Sequence, residues 1–309
     1  MSAVTIQSQS SSNLAYNNSV VTIAKPTGLA VGDLMVVFLG HGDRGGTIGS
    51  PTWSGDVTWL NLSGASGFSN EYSNSVNDGN RTSHGAAAYK IADSADVAKT
   101  NFVFTHSSVA DVLRANGGII FRVDGHEDSS PIGASLSSLA AEDDTPSFAT
   151  GITPTESSLL FMFNVLSLDQ NASVLTMSGY AITTSNPSWT ENFESLAGET
   201  GMSTASATRP ETTSTGAWSY STTNNGTANL SDHVSFLIAI KPNINSTINA
   251  DVQNIASSIQ APTITGGANV SPAVLSVASA VQAPTITTPA NTWSNTSKSS
   301  TTWTNLNKS

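Results

Sequence analysis

The chain has 309 residues, enough for one large or two medium domains with sizeable cores. Only 11% of them are charged, the formal net charge is -11 and no basic run occurs, which excludes the clustered Lys and Arg that nucleic acid binding requires. The chain has no cysteine, which excludes a disulfide framework, thiol catalysis and cysteine-ligated zinc, and its longest apolar runs, Leu34–Leu39 and Leu159–Phe163, fall far short of the roughly 20 residues that span a bilayer.

Ser, Thr, Asn and Gly replace the missing charges. These residues disfavour helix interiors and suit turns and solvent-facing strand positions, so the composition predicts an almost all-β protein. In chain order, Ser19–Ala24 is β-branched and partly alternating, and Lys25-Pro26-Thr27-Gly28-Leu29 ends it with a turn. Gly32–Gly40 (GDLMVVFLG) reads as a central strand covered on both faces. A polar loop with Trp53 and Trp59 follows, then strand candidates at Ala86–Ile91, Asn101–Thr105 and Gly117–Val123. Their spacing is that of a sandwich or jelly roll.

After Asp124 the plan restarts in part. Ser158–Val165 (SLLFMFNV) mirrors Leu34–Leu39, Trp189 follows Asn186-Pro187, and Val234–Ile240 (VSFLIAI) closes as Gly118–Val123 closed. The body, 1–243, therefore reads either as two loosely repeated halves, 1–128 and 129–243, or as one continuous sandwich. Beyond Pro242 the composition changes. Residues 244–290 hold a tandem repeat in which IASSIQAPTIT from Ile255 returns as VASAVQAPTIT from Val277, and residues 291–309 hold a second, WSNTSKS from Trp293 and WTNLNKS from Trp303. Units this small cannot bury their own apolar side chains, so Ile255, Ile259, Ile264, Val277, Val281, Ile286, Trp293 and Trp303 are expected to serve assembly.

The succession KPTGLAVGDLMVVFL, a Trp, AAAYKIA, NFVFT and SFLIAIKP resembles a β-rich domain that recurs in structural proteins of tailed bacteriophages and in some bacterial surface proteins. The repeats of the tail, with VSPAVLSV, APTIT and WTNLNKS, are similar to repeats of phage virion proteins. The resemblance implies a virion component exposed on a head or tail. It carries over no catalytic residue.

His41-Gly42-Asp43 and Asp124-Gly125-His126-Glu127-Asp128 both follow expected strands, and His41, Asp43, Asp124 and His126 are the candidates for a metal site. The plainer reading is polar turns. Glu142-Asp143-Asp144 reads as a solvated acidic loop before it reads as a calcium site. Glu191, Glu194 and Glu199 offer carboxylates for glycoside hydrolysis, against the plainer reading of a solvated face. Trp53, Trp59, Trp189 and Trp218 sit in turn-rich segments, where each either plugs a sandwich core or presents a platform to a ligand.

The expectation is a non-enzymatic structural component of a phage particle, a head decoration, fibre or tail appendage, made in the host cytoplasm and located in the virion. Its partners are copies of itself or capsid and tail proteins, with no cofactor, nucleic acid or membrane insertion. The alternative is a receptor- or glycan-binding adhesin module that uses loop tryptophans on a host surface glycan.

Overall fold

The computed structural model of the chain describes residues 3–16, 19–44, 52–56, 58–75, 81–107, 115–140, 145–168, 175–224 and 231–244. The tail positions from Ile255 to Trp303 and the Glu142–Asp144 cluster lie outside them.

Among the described residues, sixteen strands and one short helix succeed one another. The first eight strands are β1 (Thr5–Tyr16), β2 (Val20–Ala24), β3 (Leu34–Arg44), β4 (Trp53–Ser54), β5 (Ser69–Ser75), β6 (Arg81–Ile91), β7 (Asn101–His106) and β8 (Ala115–Asp124), with helix α1 (Ser94–Ala98) between β6 and β7. The second eight are β9 (Ile132–Ala140), β10 (Ser147–Phe148), β11 (Ser158–Leu168), β12 (Leu175–Ile182), β13 (Thr190–Ala197), β14 (Thr200–Arg209), β15 (Trp218–Asn224) and β16 (Ser231–Ile240). They pair into a five-stranded sheet β1-β8-β3-β6-β5 with a three-stranded sheet β2-β7-β4, and a five-stranded sheet β9-β16-β11-β14-β13 with a three-stranded sheet β10-β15-β12. Adding eight to each strand number in the first set gives the second. The two eight-strand units thus have one topology, that of a jelly roll whose larger sheet has taken a fifth strand. Strand pairing throughout is antiparallel.

Side-chain alternation explains how four sheets stack. On β3, Leu34, Val36 and Phe38 face one way and Met35, Val37 and Leu39 the other, and all six are buried. The first set meets Phe161, Phe163, Val165, Met202 and Phe236 of the other five-stranded sheet in an inner core. The second set packs under Val21, Ile23, Phe102 and Phe104 of the small sheet β2-β7-β4. β11 repeats the arrangement, Leu160, Met162 and Leu166 lying under Met177, Trp218 and Tyr220. The order of layers is therefore three, five, five and three strands around three cores. The apolar runs at Leu34–Leu39 and Ser158–Val165 are continuous because both of their faces are covered.

The inner core joins the two units. Phe38 stacks on Phe163 with centroids 4.9 Å apart, and Phe121 meets Phe161 at 4.8 Å. Polar ties rim it: Leu14 N–H donates to Ser195 Oγ at 2.9 Å, Ser83 Oγ to Asp232 O at 2.8 Å, and Ser137 Oγ to Glu71 Oε1 at 2.8 Å. At one end the five-stranded sheets approach so closely that Gly42 and Gly85 leave no space for a side chain. A Cβ on Gly42 would lie 2.1 Å from Thr200 Oγ1, and one on Gly85 2.9 Å from both Phe236 and Val234.

Candidate functional site

Three of the four tryptophans are core. Trp53, Trp59 and Trp218 are 2%, 1% and 1% exposed, so none offers a ring face to a ligand. The reason is local: Trp53 lies on β4 and Trp218 on β15, in the small sheets that cover the outer cores, and Trp59 meets Phe102 and Phe104 edge-on. Trp189 differs. It lies just before β13, is only partly buried, and packs against the outer core of the second unit from its rim.

The two halves of the expected metal site do not meet. His41 and Asp43 lie at the end of β3, whereas Asp124 ends β8 and His126 follows it, and these strands are antiparallel neighbours with Leu34 opposite Val123 and His41 opposite Asn116. Residues that follow antiparallel neighbours leave at opposite ends, here separated by the length of a strand, roughly 20 Å at about 3.3 Å per residue. His126 is instead buried beside Pro242, where burial lowers its pKa from the ordinary value against the pull of nearby Asp128 and Asp124. Among the described residues no group of three or more His, Asp and Glu side chains is arranged to hold a metal.

His41 gathers different neighbours. Its Nδ1 lies 2.8 Å from Asn116 Oδ1, its ring stacks on His106 at 3.9 Å, and His106 Nε2 lies 2.6 Å from His84 Nδ1. Trp53 meets His106 edge-on at 4.8 Å. The outward positions of β3, β6 and β8 and the inward positions of β4 and β7 in the small sheet above them bring these residues together at one end of the outer core of the first unit. Burial, and then the neighbouring His41, push the His84 pKa down to about 3, so this imidazole is neutral at ordinary pH. Because the rings bond and stack on one another instead of converging on a common point, the cluster fills and orders the core. His84 and His106 escaped the reading of the sequence because neither adjoins another ligand-type residue.

The carboxylates divide as well. Glu199 is buried in the turn between β13 and β14, away from the other two. Glu191 and Glu194 come together on β13 through a bulge. Glu191 pairs with Ala205 and Phe193 with Thr204, leaving Asn192 as the extra residue, so Glu191 and Glu194 both face outward although three residues apart. Their carboxyls hydrogen-bond to each other, and burial raises both above the usual carboxylate range. Met177 N–H donates to Glu194 Oε2 at 3.3 Å, and the buried Tyr180 beside them donates its hydroxyl to Met177 O at 3.2 Å. Two carboxyls in direct contact leave no room for a sugar between them, whereas glycoside hydrolysis needs about 5 Å or more. The arrangement can accept hydroxyl protons. It cannot act as a separated acid and base. No family model, curated protein or solved structure matches this chain.

Proposed function

We propose that the chain is a non-enzymatic structural component of a phage particle, an exposed head decoration, fibre or tail appendage subunit assembled through its C-terminal repeats. One observation carries the reading: a body of two jelly-roll units with identical strand order, packed through a phenylalanine-rich inner core, stands in front of a tail made of short sequence repeats. Jelly rolls recur in viral coat proteins, and that support is an analogy of fold. The resemblance of the KPTGLAVGDLMVVFL to SFLIAIKP succession and of the tail repeats to phage virion proteins supports it independently.

Assembly proceeds by burying the apolar repeat positions against copies of the chain and against capsid or tail proteins, with avidity across many copies supplying stability that one short repeat lacks. Light scattering on the full chain and on residues 1–250, the compact unit, tests this. The full chain is expected to be oligomeric and the shortened one monomeric.

A further inference from the structure

We infer that the rim where β12 meets β13 is a binding site for a neutral sugar, with Trp189 as the stacking platform and Glu191 and Glu194 as acceptors for the ring hydroxyls. This goes beyond assembly and stands on separate residues. The Trp189 indole is pinned: its Nε1–H donates to Asn186 Oδ1 at 3.0 Å, and the same oxygen accepts the Ile182 N–H at 3.0 Å. A partly exposed ring held in one orientation loses little freedom when a pyranose stacks on it. The bulge at Asn192 turns both carboxyls to the face on which Trp189 packs. Carboxylate oxygens accept from sugar hydroxyls, and the net charge of -11 disfavours an anionic sugar.

The two carboxyls and the Tyr180 hydroxyl beside them point to a polyhydroxyl ligand and not to an apolar one. Inward from the carboxyls, on the same outer face, Ser203, Asn164 and Ser235 stand side by side across β14, β11 and β16, and Asn164 Nδ2 donates to Ser203 Oγ at 3.4 Å. Asn164 and Ser235 are fully buried, and Asn164 Oδ1 and Ser235 Oγ have no protein partner. A buried polar group without a partner costs about 1–3 kcal/mol. This polar row backs the rim from within the outer core and, being fully buried, makes no contact with the ligand itself.

The test is saturation-transfer NMR on the full chain with the methyl glycosides of glucose, galactose, mannose and N-acetylglucosamine and with short oligomers of each. Transfer to at least one of the four is expected, and Trp189→Ala should weaken it about tenfold, the equivalent of one lost aromatic contact. Glu194→Gln keeps the ring and its pin, Asn186→Ala keeps the ring but frees it, and each should weaken binding several-fold, which keeps the test decisive if Trp189→Ala fails to fold. No transfer from any of the sugars, or transfer unchanged in folded Trp189→Ala or in both other variants, overturns the proposal.

Discussion

His84 shows how a single buried group contributes to the response of the body to acid. Its pKa falls from an ordinary 6.5 to about 3 on folding, so between those values the unfolded chain binds a proton that the folded chain refuses. Stability from this group is complete above pH 6.5 and is lost as pH falls below it, by about 1.4 kcal/mol per unit. From pH 6.5 to 5 that amounts to about 2 kcal/mol. Urea unfolding at pH 7 and pH 5 should show this loss in the natural chain and a correspondingly smaller one in His84→Gln; equal losses would remove His84 from the account. Gly42 is as demanding sterically. Three atoms of Thr200 lie within 2.8 Å of the position a Cβ would take, so no rotamer of Thr200 relieves the overlap. Gly42→Ala should destabilise by about 1–3 kcal/mol, and Thr200→Gly should recover part of it in a double-mutant cycle.

Among the elements, α1 is held by charge as much as by capping. Asp93 and Asp96 form a capping box, and the fully buried Asp96 carboxylate bonds Lys90 Nζ at 2.6 Å and Lys99 Nζ at 3.3 Å. Without Asp96, Lys90 keeps Asp93 at 3.4 Å and Lys99 keeps Asp56 at 2.7 Å, so Asp96→Ala should cost about 1–3 kcal/mol in denaturant unfolding, and Asp93→Ala on the exposed cap less. The elements also show what was legible. β3, β8, β11 and β16 announce themselves as apolar runs because both of their faces are covered. β14 (TGMSTASATR) is nearly as buried, yet it reads as polar. Its neighbours crowd it, small Ser, Thr and Ala side chains are what fit between two cores, and periodicity sees only hydrophobicity. β1 and β5 are likewise rich in Ser, Asn and Gln because they are edge strands. The site was less legible. The antiparallel course of β3 and β8 that separates His41 from His126, and the bulge that unites Glu191 with Glu194, are long-range or irregular features that residue type does not signal.

For the whole molecule, the decisive feature is that the two units share a core. Phe161, Phe163 and Phe236 pack against the first unit across the inner core, as Phe38 and Phe121 pack against the second. Residues 1–250 should therefore melt in one calorimetric transition, and Phe163→Ala should lower both units together; two separable transitions would contradict a shared core. The same burial joins the two units of the body into one block, and under the proposed function the contacts between copies fall to the sequence repeats beyond it. The most direct test of the central claim is the mass of the full chain in solution by light scattering, beside that of residues 1–250. The account predicts an oligomer that becomes a monomer on shortening. A full chain that remains monodisperse and monomeric would contradict it.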